Sequence, residues 1–230
     1  SATAIATVPP GLESKVEGSV FQMMAGVGSV LNEAGCALVG GHTGEGRALA
    51  LGFAINGLID ETLANVMQKG GMRPGDALIL TKPIGTGAIN TAVKRGLASR
   101  EVEAAAIKAM TTSAAAASKV MREIGANGCT DVTGFGLLGH AFEMAKASKV
   151  TLTIDSKAVP LLPEVLELIS QGMLTRGDKN NRVYVGETVR ISTGVSGEMQ
   201  SALFDPQTAG GLLISVPEYA AAEYLRSVAD

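Results

Sequence analysis

The sequence predicts an α+β fold, with helices and strands mixed, divided between the end of one domain and the whole of a second. Three observations predict it. Short apolar, β-rich runs alternate with longer segments of helical periodicity. A chain of 230 residues, 46% hydrophobic and 18% charged, holds enough apolar matter for one large core or two modest ones. The segment 60–76 is more polar, carries Gly70, Gly71, Pro74 and Gly75, and interrupts the pattern as a domain boundary would. The expected division is 1–65 for the first part, 66–76 for a linker and 77–230 for the second domain.

Taken in order, Ala2–Val8 reads as a strand, and Pro9-Pro10-Gly11 turns the chain. No initiator Met or solvated leader precedes that strand, so the chain is expected to start within a domain. Val16–Ala34 spaces its apolar residues as a helix and stops at Gly35. Cys36–Val39 reads as a short buried strand, Gly40–Gly46 as a turn and Ala48–Ile59 as a longer strand. Beyond the boundary, Ala77–Thr81 is a strand, Pro83–Gly87 a turn and Ala88–Arg95 a helix. Val102–Met110 and Ser113–Ile124 are alanine-rich and favour helix by intrinsic propensity. Val150–Ile154 alternates as a strand, Leu161–Ser170 is helical, Arg176–Arg182 is an exposed loop, and Gly211–Val216 is a strand before a last helix, Glu218–Val228.

Composition excludes several classes of function. Nineteen basic residues against 22 acidic give a net charge of −3, and only 3% of residues are aromatic, with no Trp. A nucleic-acid partner is therefore not expected, since both the basic field and the stacking platforms are missing. No apolar run is long enough to span a bilayer. Cys36 and Cys129 form no Cys-x-x-Cys pair, so neither a disulfide framework nor a zinc site is indicated, and a reducing, cytoplasmic setting is expected. Neither has a cation nearby in sequence to acidify it, so both read as buried structural thiols.

Three glycine-bearing loops carry the candidate chemistry. In Gly40-Gly41-His42-Thr43-Gly44-Glu45-Gly46, glycines could present backbone N–H groups to an anion, although a plain strand-connecting turn is the simpler reading. A lone His42 more simply bonds within its loop than ligates a metal. The stretch Cys129–His140 holds a literal G-x-G-x-x-G at 134–139, and Asp155 stands where a ribose-binding acid would be. Dinucleotide binding is disfavoured there, because Thr130, Asp131 and Thr133 put polar groups where a buried strand should enter the turn. The same stretch also places the Asp131 carboxylate just before a glycine turn and a helix N-terminus, an arrangement suited to magnesium and phosphate; capping a turn or helix is the plainer alternative. Thr81-Lys82-Pro83-Ile84-Gly85-Thr86-Gly87 is no Walker A motif, and Lys82 reads first as a solvated lysine. Phe204–Leu213 reads as architectural, an Asx-type turn before a buried strand.

Together these segments carry a resemblance. Gly40-Gly41-His42-Thr43, Thr81–Gly87, Thr130–His140 and Asp205-Pro206-Gln207-Thr208-Ala209-Gly210-Gly211-Leu212-Leu213 stand in the order found in selenophosphate synthetases (selenide, water dikinases). The resemblance covers essentially the whole chain and extends to Phe21-Gln22-Met23-Met24. Aminoimidazole ribonucleotide synthetase, thiamine-monophosphate kinase and a hydrogenase-maturation protein are related, but usually carry an acidic residue after the paired glycines, where this chain has His42.

The resemblance implies a first domain whose mixed sheet dimerises into a β-barrel, followed by an α+β second domain. It implies ATP contacts at Gly40, Gly41, His42 and Thr43, metal binding at Asp131 with Mg2+, and a homodimer that makes selenophosphate, AMP and phosphate from selenide, ATP and water. The reactive cysteine or selenocysteine and its lysine would lie upstream of Ser1, so no catalytic residue is expected in this chain, which by itself is expected to be inactive. The alternatives are a non-catalytic dimerising or binding module, or a related ATP-dependent enzyme such as thiamine-monophosphate kinase.

Overall fold

A computed structural model describes residues 1–59, 61–62 and 66–229; Asp60 and Leu63–Asn65, at the expected domain boundary, lie outside the described residues. The chain forms two compact units, Ser1–Val66 and Met67–Asp230.

In the first unit, β1 (Ala2–Val8), α1 (Glu13–Glu33), β2 (Leu38–Glu45) and β3 (Ala50–Ile55) make a sheet of order β2-β1-β3. β1 pairs parallel with β2, which requires the α1 crossover, and antiparallel with β3, which the chain reaches from β2 through residues 46–49 so that β1 lies between the two. α1 ends where Gly35 takes φ +60°, the left-handed conformation that glycine supplies at helix ends. β1 alternates, burying Ala2, Ala4 and Ala6 while Ile5 stays 62% exposed.

The turn expected at Gly40–Gly46 is not there. β2 runs straight through it, pairing Gly40–Thr43 with Thr3–Ala6. The glycines serve close approach instead: a Cβ at Gly41 would collide with the Ala4 carbonyl, and Gly40, Gly41, Gly44 and Gly46 all lack positive φ. Glycine-rich sequence signals both a turn and a tightly packed strand, and here the second applies.

The second unit contains β4 (Asp76–Leu80), α2 (Thr86–Lys94), α3 (Arg100–Thr111), α4 (Ala115–Ile124), β5 (Gly128–Asp131), α5 (Gly136–Ser148), α6 (Val165–Ser170), α7 (Arg176–Val185), α8 (Gly197–Phe204), β6 (Leu212–Pro217) and α9 (Glu218–Ala229). Its sheet has the order β4-β6-β5 and is antiparallel throughout. Period-two alternation splits the apolar residues between its faces. Ile79, Ile214 and Val216 pack with Val120 and Met121 of α4 and Tyr224 of α9. Leu78, Leu80 and Leu213 face Leu137 and Met144 of α5 and Leu203 and Phe204 of α8. A third cluster, including Ile89, Val102 and Leu168, joins α2, α3 and α6. Each fully buried aliphatic side chain of this kind contributes roughly 1.5–3 kcal/mol.

Residues 67–72 pack into this unit: Cys129 N–H donates to the Gln68 carbonyl (3.0 Å), and Gly71 and Met72 N–H donate to Ser148 Oγ (3.1 Å each). Val150–Ile154 is not a strand. Its alternation is real, with Leu152 and Ile154 half-buried against the core and Thr151 and Thr153 exposed, but an extended segment lying on a core alternates as well as a paired one does. Arg176–Arg182 is not a loop but most of α7, capped by Thr175, whose hydroxyl accepts from Asp178 N–H (3.2 Å). α5 begins at Gly136, within the glycine-bearing stretch itself.

Candidate functional site

The three second-unit motifs converge at one end of its sheet. β4 leads out at Thr81, whose N–H donates to the Leu212 carbonyl (3.0 Å) and whose Oγ1 accepts from Leu212 N–H (2.8 Å). On the opposite side of β6, Val132 N–H donates to the Gly211 carbonyl (2.8 Å). Only glycines fit between: a Cβ on Gly210 would collide with the Val132 carbonyl, and one on Gly211 would come within 2.6 Å of Lys82 N. The paired glycines thus draw the Lys82 and Val132 segments together from either side.

Two of the motifs serve each other. Gln207 Oε1 accepts from the N–H groups of Gly85 (2.9 Å) and Thr86 (3.1 Å), and Asp205 Oδ2 accepts from those of Gly87 (2.9 Å) and Ala88 (3.1 Å). These are donors that the start of a helix cannot satisfy internally, and the loop 205–207 takes all four. A phosphate at the start of α2 would have to displace them. Gly87 is required for this, since a Cβ there would collide with Asp205 Oδ1. Burial pushes the Asp205 carboxyl up to about 6, against the pull of those N–H groups and of Gln207. Lys82 is not solvated as expected: it is 9% exposed, its Nζ donates to the Ala209 carbonyl (2.9 Å), and desolvation lowers its pKa.

Asp131 differs from these. It is the exposed last residue of β5, followed by fully buried Val132. Among the described residues no hydrogen bond or ion pair occupies its carboxylate. The chain beyond it is pinned: the Thr133 carbonyl accepts from Gly136 (3.0 Å) and Gln207 (2.9 Å) N–H, and Asn181 Nδ2 donates to the Gly134 and Phe204 carbonyls (2.9 Å each). Asp131 borders a cavity of about 660 Å³, lined also by Lys69, Ser113, Ser118, Cys129 and Thr130. Burial, with the Asp131 charge, pushes the half-buried Cys129 thiol up to about 11, so it is protonated and unreactive at neutral pH. A larger cavity of about 990 Å³ runs along β4 and residues 149–155; Asp131 lines the smaller cavity and not this one.

No group of three or more metal-ligating His, Cys, Asp or Glu occurs among the described residues. One unencumbered carboxylate still suits Mg2+, which takes one or two carboxylate oxygens and completes its shell with water and phosphate. The antiparallel pairing of β5 with β6 removes the parallel βαβ unit that dinucleotide binding at 134–139 needs, and Asp155 caps a short 3₁₀ turn through Lys157 N–H (3.0 Å). Gly40–Thr43 lie in the first unit, on β2, with His42 exposed opposite Ile5.

Sequence reasoning missed Asn181, Lys69 and Glu143. Asn181 was hidden by reading 176–182 as a loop; Thr175 followed three residues on by Asp178 is a helix-start signal that would have found it. Lys69 and Glu143 are 74 residues apart, and nothing local announces their ion pair at 2.7 Å.

Comparison with known proteins agrees with this architecture. The family described as AIR synthase related protein, C-terminal domain, matches residues 73–229. The chain is 44% identical over 208 residues to a selenide, water dikinase of Geobacter metallireducens, covering 90% of this chain and 60% of that protein. It is 41% identical over 211 residues to selenide, water dikinase 2 of Peptoclostridium acidaminophilum, covering 91% and 58%. It is 47% identical over 193 residues to the selenide, water dikinase of Citrifermentans bemidjiense, covering 84% and 55%. The chain thus spans less than two thirds of the length of these relatives. Among solved structures, Escherichia coli HypE matches with a TM-score of 0.67 at 19% identity over 99% of this chain and 62% of that one. Thiamine monophosphate kinase of Aquifex aeolicus matches at 0.64 and 19% identity, over 95% and 64%. At such identity these structures bear on the fold alone.

Proposed function

From the premise that the chain belongs to the AIR synthase related family, matched over residues 73–229, we propose that it is part of an enzyme making selenophosphate, AMP and phosphate from selenide, ATP and water. The observation that carries the reading is the free Asp131 carboxylate, held beside the place where the three second-unit segments 81–87, 130–140 and 205–213 converge, in a chain 41–47% identical to several selenide, water dikinases.

In this reading Asp131 would hold Mg2+ carrying ATP phosphates. Bound there, the ion would offset phosphate charge, a leading contribution in phosphoryl transfer. The protein's part is positioning: Val132, Thr133 and Gly134 are each fixed by hydrogen bonds, so the carboxylate is presented by a rigid turn. Gly40, Gly41, His42 and Thr43 would contact nucleotide through strand β2 rather than through a flexible loop. Residues outside this chain would supply the reactive group and the remaining carboxylates, and the chain alone would not turn over.

The relevant experiment is calorimetric titration with Mg-ATP of the wild-type chain and of Asp131→Ala. Magnesium-dependent binding abolished by the substitution supports the reading, and binding that survives it places the phosphate site elsewhere. A second reading, a dimerising module without catalysis, is favoured by the exposed apolar residues of the first unit: Ile5 at 62%, Val39 at 64% and Ile55 at 69%. No Mg-ATP binding by a chain that sediments as a dimer would favour it.

A further inference from the structure

Beside the Asp131 turn lies a polar chain that the reading above leaves unused. Lys69 Nζ (2.7 Å) and the Tyr184 hydroxyl (3.1 Å) both donate to the Glu143 carboxylate. Burial raises the Glu143 pKa, but these two donors outweigh it and hold the group below the usual carboxylate range. One turn back on α5, His140 is 6% exposed. Its Nε2 lies 3.2 Å from Thr133 Oγ1, and its buried Nδ1 makes no well-formed hydrogen bond, although Glu143 Oε2 is only 3.4 Å away. The ring is held in place by Phe135, tilted against it at 5.5 Å, and Phe135 stacks on Tyr184 at 4.7 Å.

A neutral imidazole has one N–H and one lone pair. A proton on Nε2 would leave the Nδ1 lone pair facing a carboxylate oxygen in a buried setting, which is repulsive and leaves a polar atom unsatisfied. A proton on Nδ1 points at the carboxylate, and Nε2 is then free to accept the Thr133 hydroxyl proton. This parallels the way a carboxylate fixes the tautomer of a histidine whose other nitrogen serves a hydroxyl.

We infer that His140 is a positioning residue for Asp131: Glu143 fixes its Nδ1–H tautomer, its Nε2 accepts the Thr133 hydroxyl proton, and that bond locks the chain two residues beyond the carboxylate. The Thr133 side chain is then held from α5 while its carbonyl is held by Gly136 and Gln207, so the turn after Asp131 is fixed from both sides. The part concerning Asp131 rests on its proposed role as a metal ligand; the hydrogen-bond assignment does not.

Two measurements on the full chain test it. Long-range proton–nitrogen spectra of the imidazole should show the Nδ1–H tautomer, and an Nε2–H tautomer overturns the inference with no ligand present. Manganese affinity, measured by electron paramagnetic resonance, should fall about 10-fold in His140→Leu and in Thr133→Val, as for residues that orient a metal ligand. The double variant should be no weaker than either single one, because both break one interaction. His140→Gln, whose amide oxygen can accept the same proton, should recover most of the affinity. Unchanged affinity in a His140→Leu chain with a native circular dichroism spectrum, or additive losses, overturns the positioning role. If Asp131→Asn abolishes manganese binding while His140→Leu leaves it intact, the metal reading survives and the inference fails. If Asp131→Asn changes nothing, the metal reading fails and takes the positioning role with it, whatever the tautomer.

Discussion

Replacing Asp205 by Asn should change how the stability of the second unit depends on pH. In the folded chain burial raises this carboxyl from 3.8 to about 6, and the residue is only 3% exposed, so solvent screening takes little from the effect. The gap of roughly 2.2 units is worth about 3 kcal/mol at about 1.4 kcal/mol per unit. Because the folded state holds the proton more tightly, this stability is fully present below about pH 3.8 and lost as pH rises through about 6. Asn cannot titrate, yet its amide oxygen can still accept from Gly87 and Ala88. Taken from about pH 8 down to about pH 5, wild type should therefore gain roughly 1.4 kcal/mol relative to Asp205→Asn, with the full difference reached only below about pH 4. Urea titrations followed by tyrosine fluorescence suit the question, since the chain has no Trp and its three Tyr, at 184, 219 and 224, all lie in the second unit. A difference between the two proteins that stays flat from pH 8 to 5 would refute the reasoning, showing that the α2 N-terminus stabilises the carboxylate enough to cancel its burial.

Two further substitutions probe the units separately. Gly41→Ala places a methyl group against the Ala4 carbonyl and should cost about 1–3 kcal/mol, as overpacking does; hydrogen exchange at β1 and β2 amides should rise, and unchanged protection would mean that the strands are not so close. Tyr224→Phe removes a hydroxyl that donates to the Ala117 carbonyl at 3.1 Å from a side chain 1% exposed. It should lower stability by about 1 kcal/mol, read as a shifted urea midpoint by circular dichroism, and an unshifted midpoint would show that the bond contributes nothing.

What the sequence made legible, and what it hid, follows from the range of each signal. Strands β1, β4 and β6 and helices α2 to α4 and α9 come from local pattern and propensity, and the structure has them near the expected places. The failures occurred where one pattern has two causes. Glycines at 40–46 suggested a turn because glycine tolerates positive φ, whereas here it admits a neighbouring backbone. Alternation at 150–154 suggested a ladder, whereas one-sided contact with the core suffices.

The candidate site divides along the same line. Asp131 could be singled out because a carboxylate before a glycine turn and a helix start is a local feature. The division of labour between the other motifs could not: Gln207 and Asp205 reach more than 100 residues back to cap α2 (sequence separations of 122 and 118), which joins the 81–87 and 205–213 segments into one interlocked support. That support bears on function through exclusion. With the α2 N-terminus occupied, Lys82 committed to the Ala209 carbonyl and the Cys129 thiol protonated, Asp131 is, among the described residues, a carboxylate at this end of the sheet left free to meet a ligand. On the proposed function, a free carboxylate, rigidly placed on a domain that caps its own competing donors, is what a shared phosphate site would require of one of its contributors.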